Sequence, residues 1–407
     1  QFLYFIGGRN LRPSLDTRLH CSRGENQQDD TMAQKAKKTT IFEAAVVGMC
    51  FNATKTLMAC SPNNDVVHIV LADPKVDCSE WQIVHTLRGH EQAISAIDWC
   101  PVTNKILTCG HDRTAFVWSQ EKEDSPIDAP WKPTLVLLDT GMKHGFTSCK
   151  FAMSGQKIYV GCASNTVAVG KYDAETDWWR CLVYEPHCSS VTCMEPSPAV
   201  DTLLATGSTD CTVKVASTFV KSVDAAEARL GKIGTELAVF DVKGWVNALA
   251  WNDEGTALAV ASHDSTVTIF CGESPTDFSG WGAHFITMRQ LPLRSLTFIN
   301  DSTVVAGGHD FYPVALTYNE EAHKWAATKT GAKAKGAATE KLSETQLARM
   351  RFQNQSSLGT TASVELPQTR HTSTIVGVRR VGTNKFATAS LDGRVEFWDV
   401  NALEPIA

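Results

Sequence analysis

Three His-Asp pairs are the residues of this chain that could most readily do chemistry. They are His111-Asp112, His263-Asp264 and His309-Asp310. A histidine beside a carboxylate can ligate a metal ion or act as a general base, and Ser262-His263-Asp264 contains the residue types of a nucleophilic triad. Adjacent residues of a strand point to opposite faces, so a contiguous triad cannot align. We therefore predict that the pairs are structural, that the chain is not an enzyme and that it has no catalytic residue.

Cysteines and glycines offer no better site. The 13 cysteines are spread singly and mostly inside apolar stretches, which is typical of small core residues in a reduced protein. The closest pair, Cys188 and Cys193, lacks both a second pair and histidines at zinc-ligand spacing. No phosphate-cradling or dinucleotide-binding glycine motif follows a strand pattern. The sequence predicts neither a metal nor a cofactor.

Two sets of four polar and aromatic residues recur at fixed offsets. They are His90, Thr108, Asp112 and Trp118 in the first set, and His371, Thr388, Asp392 and Trp398 in the second. In both sets threonine stands four residues before aspartate and tryptophan six after it. Such a set can form a buried chain of hydrogen bonds that satisfies groups which would otherwise be costly in a core. We predict this structural role for all eight residues.

Short strand patterns surround these sets and must position them. Alternating apolar strands are followed by tight turns, and seven such turns occur, at Asn63-Asn64-Asp65, Asp112, Ser164-Asn165, Asp210, Asp264, Asp310 and Asp392. Repeats of this kind are typical of β-propeller blades. The sequence predicts an all-β, seven-bladed WD40 β-propeller over residues 39–407. Its fourth and fifth blades carry Ala216 and Phe270 in place of tryptophan, so we expect them to rely on apolar packing.

The ends of the chain raise two further expectations. Residues 39–44 have no strand partner of their own, and we expect them to supply the outer strand of the seventh blade, because an unpaired edge invites aggregation. Residues 1–38 are predicted to be a disordered or non-native extension. A transit peptide is the alternative for the Arg-bearing first part of this stretch.

Charge and hydropathy restrict the partners. The net charge is −6, which gives no support for a nucleic-acid partner. No stretch approaches the roughly 20 apolar residues of a membrane helix, so no membrane span is predicted.

A long insertion interrupts the repeat between the sixth and seventh blades. Residues 320–369 are polar, Ala-rich and basic, and a loop of this length is either functional or disordered. Ser343 can cap a helix with Gln346 three residues on, so a short helix is predicted near residues 343–354. Two alternatives remain open from composition: the helix offers one face outward, or it is a solvated loop whose Phe352 packs back on the propeller.

Several stretches together resemble a known family. They are SPNNDVVHI (61–69), GWVNALAW (244–251), LTFINDSTVVAGGHDFYPVALTY (296–318) and ARMRFQN (348–354). They are similar to the WD-repeat subunit, subunit 1, of the actin-related protein 2/3 complex. The resemblance covers residues 41–403 and includes the insertion, which a generic WD protein would not share. It departs in residues 1–31 and in the longer Lys-rich approach to the insertion helix.

The resemblance implies a non-catalytic scaffold subunit in the cytoplasmic actin cytoskeleton. Members of the family belong to an assembly that binds the side of an actin filament and nucleates a branch from it. The partners implied are the other subunits of the complex, the actin filament and the acidic tails of nucleation-promoting factors. The residues implied to contact actin of the mother filament are Arg349, Arg351 and Phe352.

A propeller adaptor of another assembly is the rival interpretation. Substrate receptors of ubiquitin ligases, chromatin subunits and coat subunits would each bind a peptide across the top of the central channel. Co-purification distinguishes these readings, because actin-related proteins at fixed stoichiometry are expected only for the first.

Overall fold

Strands make up almost all of the regular structure in the computed structural model, which describes residues 45–76, 78–121, 127, 129–138, 142–224, 230–331 and 369–405. These described residues contain 28 strands and one short 3-10 helix, Cys78–Glu80. They all belong to one compact unit. The strands follow the alternating apolar patterns of the sequence, because successive side chains of a strand point to opposite faces.

Three antiparallel blades of four strands come first. Blade 1 contains β1 (Gly48–Phe51), β2 (Leu57–Ser61), β3 (Val66–Leu71) and β4 (Ile83–Arg88). Blade 2 contains β5 (Ile94–Trp99), β6 (Ile106–Gly110), β7 (Ala115–Ser119) and β8 (Lys132–Leu137). Blade 3 contains β9 (Phe146–Phe151), β10 (Lys157–Cys162), β11 (Val167–Asp173) and β12 (Trp178–Tyr184).

Four more blades of the same design follow. Blade 4 contains β13 (Val191–Pro196), β14 (Leu203–Ser208), β15 (Thr212–Ser217) and β16 (Glu236–Asp241). Blade 5 contains β17 (Val246–Trp251), β18 (Ala257–Ser262), β19 (Thr266–Cys271) and β20 (Gly282–Thr287). Blade 6 contains β21 (Leu293–Asn300), β22 (Thr303–Gly308), β23 (Val314–Asn319) and β24 (Lys324–Thr330). Blade 7 contains β25 (Ile375–Gly382), β26 (Lys385–Ser390), β27 (Val395–Asp399) and β28 (Glu404–Pro405).

The hydrophobic core is divided among the contacts between blades. Seven clusters of buried apolar side chains occur in the described residues, and each lies between two neighbouring blades. One cluster joins Met49 and Phe51 of blade 1 to Ala387 and Phe397 of blade 7. The innermost strands contact one another in order, and β25 contacts β1. The ring is therefore closed, and the predicted seven-bladed propeller is confirmed.

Side-chain hydrogen bonds add to this packing along one arc of the ring. The hydroxyl of Thr147 donates to the carbonyl oxygen of Val191 at 2.6 Å, which links blade 3 to blade 4. Thr192 and Asn247 make the equivalent bonds one and two blades further on. Each accepting carbonyl belongs to a residue at a register shift between the two innermost strands of its blade. The positions equivalent to these residues in blades 7 and 1, Val376 and Val47, have apolar side chains that cannot donate.

The outer edges of blades 2 and 3 are joined directly. Strand β12 runs parallel to β8, with Trp179 opposite Val136 and Arg180 opposite Leu137, so the two blades form one eight-stranded sheet. Two shorter interactions support this joint: Lys132 pairs with Asp177, and the amine of Lys105 lies over the rings of Tyr172 and Trp179. This rim therefore has no open strand edge at the joint.

The two ends of the described part of the chain meet at blade 7. The outermost described strand of that blade is β28, which pairs with Trp398 and Asp399. The N–H of Val46 donates to the carbonyl oxygen of Ser390 at 3.3 Å, so the chain enters blade 1 beside blade 7. Residues 39–44, expected to supply the outer strand of blade 7, lie outside the described residues, as do residues 1–38.

Candidate functional site

The residues implied to contact actin, Arg349, Arg351 and Phe352, lie outside the described residues, as does the helix predicted near 343–354. The flanks of the insertion are described. Gly331 donates its N–H to the carbonyl oxygen of Pro313 at 2.8 Å, and a side chain on Gly331 would meet Trp398. On the return side, His371 is fully buried beside β25. Both flanks therefore lie on the side of the ring where the innermost strands begin, which we call the upper side.

The first predicted hydrogen-bond set is assembled in blade 2. The indole N–H of Trp118 donates to Thr108 Oγ1 at 2.9 Å, and Thr108 Oγ1 lies 2.9 Å from His90 Nε2. His90 Nδ1 lies 3.0 Å from Asp112 Oδ2. Because Thr108 already accepts from the indole, its hydroxyl donates to Nε2, and the ring proton sits on Nδ1 facing the carboxylate. Burial lowers the pKa of His90, and Asp112 offsets this only in part.

The second set, in blade 7, has all its hydrogen bonds except the one between histidine and aspartate. Trp398 donates to Thr388 at 2.8 Å, and Thr388 lies 2.7 Å from His371 Nε2. The opposite ring nitrogen of His371 lies 3.5 Å from Asp392 and makes no hydrogen bond. Burial acts to raise the pKa of Asp392, but the approach of His371 and the N–H groups of Thr372 and Arg394 outweigh it and lower the pKa to about 2.

Blade 4 corrects one expectation. It carries Ala216 at the tryptophan position, yet it keeps the other three groups: His187 lies 2.9 Å from Thr206 and 3.0 Å from Asp210. The expectation that this blade relies on apolar packing was wrong, because His187 was overlooked. A signal existed in the sequence, since Thr206 stands four residues before Asp210, as in blades 2 and 7.

Blade 5 follows the expectation. The positions of histidine, threonine and tryptophan are taken by Val242, Val260 and Phe270, which belong to one buried cluster. Three apolar groups thus replace three polar groups, and no buried donor is left unsatisfied by the exchange.

The His-Asp pairs lie at turns of three separate blades. In blade 5 the side chain of Ser262 is buried, whereas His263 and Asp264 are exposed, so the three cannot act on one substrate. Among the described residues, no group of three or more His, Cys, Asp or Glu could hold a metal ion. In the same part of the chain, no helix has the length and apolar character of a membrane span.

The central channel is a cavity of about 790 Å³ lined by all seven innermost strands. One small residue from each strand surrounds its middle: Gly48, Ala96, Ser148, Cys193, Ala248, Ser295 and Gly377. Small side chains at this level leave the channel open. Its two mouths differ in chemistry, so each is a separate candidate for binding.

The upper mouth combines exposed apolar groups at blades 5 and 6 with one arginine and one histidine of blade 6. Trp245 is 54% exposed, and its ring stacks on His263 with 5.5 Å between centroids. Leu291 is equally exposed. Arg294 and His309 line the channel there, and Arg294 makes no ion pair with a described residue. Burial lowers the pKa of His309, as do Arg294 and His263. This mouth suits an acidic segment that carries an apolar side chain.

Comparison with known proteins identifies the family. A model described as WD domain, G-beta repeat, matches residues 81–119, 178–216 and 234–271. Actin-related protein 2/3 complex subunit 1A-B of Xenopus laevis is 31% identical, over 87% of this chain and 94% of that protein. The chain belongs to the family of subunit 1 of the actin-related protein 2/3 complex. Subunit 1A of Arabidopsis thaliana is 29% identical over 89% of this chain and 96% of that protein. Subunit 1 of Schizosaccharomyces pombe is 31% identical over 79% and 89%.

Membership of the subunit 1 family confirms the resemblance seen in the sequence. The matched repeats also explain how the ring holds together, because each is offset from the blades. Residues 81–119 contain the outermost strand of blade 1 and three strands of blade 2, and the other two matches are offset in the same way. Each repeat therefore links two neighbouring blades covalently, in addition to the apolar cluster between them.

Proposed function

We propose that this chain is a non-catalytic scaffold subunit of the actin-related protein 2/3 complex, located in the cytoplasmic actin cytoskeleton, where it supports nucleation of branched filaments. One observation carries the proposal: the chain is 31% identical to a subunit 1 of Xenopus laevis over 94% of that protein's length. A closed ring with an apolar cluster at every blade contact is suited to holding other subunits in fixed positions.

Affinity purification tests the subunit role. A tagged copy of the full chain should recover two actin-related proteins at fixed stoichiometry with the remaining subunits. Recovery of a cullin, histones or coat proteins in their place would contradict the proposal and favour the adaptor alternative.

Contact with the mother filament is assigned to Arg349, Arg351 and Phe352. An aromatic residue beside arginines is a frequent interface hot spot. Support comes from the resemblance of residues 348–354 to the family and from the described flanks of the insertion, which leave and re-enter the ring on the same side. The contact surface would then project from one place on the propeller.

A double variant tests this contact. Arg349→Ala with Phe352→Ala should leave complex assembly intact and lower branch density several-fold in assays of pyrene-actin polymerisation and branch imaging. The matched control is Lys333→Ala with Lys335→Ala, in the same insertion but outside residues 343–354. Wild-type branch density in the Phe352 variant would overturn the assignment.

Acidic tails of nucleation-promoting factors are the third class of partner, and the upper mouth is our candidate for their binding place. Its exposed Trp245 and Leu291 can hold an apolar side chain while Arg294 attracts carboxylates. Binding of a labelled acidic tail, measured by fluorescence anisotropy, should weaken about tenfold in Arg294→Gln and in Trp245→Ala. Lys221→Gln, an exposed lysine away from this mouth, is the control. Equal affinity of all variants would exclude this mouth.

A further inference from the structure

The histidines of the three His-Asp pairs occupy equivalent positions on the upper side of the ring. In each of these blades the histidine N–H donates to the carbonyl oxygen of the residue that precedes the innermost strand. These bonds join His111 to Ala93 at 3.0 Å, His263 to Trp245 at 2.8 Å and His309 to Pro292 at 3.3 Å. The same bond is donated in blades 3, 4 and 7 by Ala163, Thr209 and Leu391. Of these six blades, therefore, blades 2, 5 and 6 carry an imidazole at this level.

The aspartates of the three pairs are engaged with other groups. Asp310 accepts the N–H of Leu291 at 2.6 Å, and the two oxygens of Asp264 accept the N–H and the hydroxyl of Thr266. Asp112 belongs to the hydrogen-bond set of blade 2. No ion pair between described residues includes any of the three histidines. A protonated imidazole at these positions would therefore keep its charge available to a ligand.

His309 faces the channel most directly. It lines the channel together with Arg294, and its Nδ1 lies 3.2 Å from the hydroxyl of Thr374 in blade 7. No other hydrogen bond joins its ring to a described residue, so Nε2 can face a ligand. Burial holds the pKa of His309 below its ordinary value, and Arg294 and His263 lower it further, against Asp310. The ring is therefore neutral at about pH 7.5 and gains a proton as the pH falls.

His263 lies beside the apolar part of the same mouth. It is exposed, and its ring stacks on Trp245 with 5.5 Å between centroids. Lys243, exposed two residues before Trp245, is a further cation of this loop. Because the stack fixes the imidazole, a charge gained by His263 would sit next to the surface that can hold an apolar side chain. The third histidine, His111, lines the channel from blade 2.

We infer that His309 and His263 make the upper mouth a pH-dependent site, which binds an acidic segment more tightly in mildly acidic than in neutral solution. This rests on the proposed function, in which the upper mouth is the candidate binding place for acidic tails. Two protonated imidazoles would join Arg294 around one opening, and the carboxylates of the ligand would compensate charges that no described acid pairs with. By linkage, a bound acidic segment favours protonation of both rings, so the ligand and the protons bind together.

Fluorescence anisotropy with the full chain tests the pH dependence. The probe is a rhodamine-labelled peptide of Asp and Glu residues with one leucine, used above about pH 5.5, where its carboxylates stay ionised. Kd should be about fivefold lower at about pH 5.8 than at about pH 7.5. His309→Gln combined with His263→Gln should bring the ratio of the two Kd values close to one. The ratio is the readout, because Trp245 also loses its stacking partner in this variant.

His323→Gln is the matched control. This histidine is exposed in the turn between β23 and β24, on the side of the propeller opposite the upper mouth, so the variant should keep the wild-type ratio. Equal Kd at both pH values in the wild type, or an unchanged ratio in the double variant, would overturn the inference and leave binding of acidic segments intact. Absence of binding at both pH values would overturn the proposed binding place together with the inference.

A second peptide separates ligand charge from a change in the propeller itself. It carries Asn and Gln in place of every Asp and Glu, so it should show no tightening as the pH falls. The same pH dependence with both peptides would contradict the inference, since the ligand would then not be sensing the histidine charges. Circular dichroism at both pH values checks that the ring stays folded.

Discussion

Lys157 donates two hydrogen bonds to the carboxylate of Asp224, at 2.8 and 2.9 Å, across 67 positions of the sequence. The lysine side chain is fully buried in β10 and gives a further hydrogen bond to the carbonyl oxygen of Asp201 at 2.9 Å. Asp224 also accepts the N–H of Val220, which closes the turn that follows β15. The pair therefore fastens blade 3 to the connection between the third and fourth strands of blade 4.

Breaking this ion pair should be strongly destabilising. Lys157→Met leaves a buried carboxylate without its cation and should cost about 3–5 kcal/mol in the free energy of unfolding. Lys157→Met with Asp224→Leu should cost less than the sum of the single changes, because Asp224 is then not left as a buried unpaired charge, whereas Asp201, at 3.4 Å from the amine, loses its cation with or without the second change. Urea unfolding measures all three. Lys171→Met, at an exposed hydrogen bond on the next strand, is the control and should change stability by about 0.5 kcal/mol or less. Additive costs for the pair would contradict the coupling.

Trp118→Phe should test the indole hydrogen bond in blade 2. The ring fits, since Phe270 occupies the same position in blade 5, but Thr108 loses a donor at 2.9 Å. We expect a loss of about 1–2 kcal/mol, measured by thermal or chemical unfolding. The control is Trp178→Phe, on the exposed face of β12, which should have almost no effect. Equal losses in both variants would show that ring size, and not the hydrogen bond, matters.

Stability should fall as the solution becomes mildly acidic. Burial lowers the pKa of His90 and of His187, so between the folded and unfolded pKa values the unfolded chain binds more protons. The stability that these two histidines contribute is fully present above about pH 6.5 and is lost as the pH falls through their folded pKa values. Unfolding of the wild type and of His187→Gln, compared from pH 7.5 to 5, should show a smaller pH dependence in the variant. Parallel pH profiles would refute this assignment.

Asp392 should make stability depend on pH in a lower range than the two histidines do. Its pKa is lowered to about 2, so its stabilising effect is present above the unfolded value near 4 and is lost as the pH falls towards 2. Asp392→Asn should be about 1–2 kcal/mol less stable than the wild type at pH 5, after allowance for solvent screening. The difference should close between pH 4 and 2 in thermal unfolding. A difference that stays constant across that range would mean that ionisation of Asp392 is irrelevant.

The repeating parts of the fold could be predicted because their signals are local. Thr108 and Thr388 each stand four residues before a turn aspartate, and Trp118 and Trp398 each stand six residues after it. These two blades therefore reveal which residues form the hydrogen-bond set. The seven turns give the number of blades. The spacing of threonine and aspartate also identifies the set in blade 4, and with it His187, but only if a tryptophan six residues after the aspartate is not required. That histidine was missed because one member of its set had changed to Ala216.

Other features have no local signal. Lys157 lies in an ordinary strand pattern, and its carboxylate partner is 67 residues away in a connection of irregular length. The pairing of β8 with β12 depends on where two outer strands end in space, which no periodicity encodes. Non-local geometry decides each of these.

The joint between β8 and β12 makes the outer wall of the propeller uneven. At that joint the two edge strands already pair with each other, through Val136, Leu137, Trp179 and Arg180. An extended peptide therefore cannot add to the sheet at these residues. A neighbour that attaches by adding a strand would have to choose another blade. The joint therefore distinguishes one position on the rim of the described propeller from the others. A partner that contacts the outer strands can then bind in one rotational orientation rather than seven.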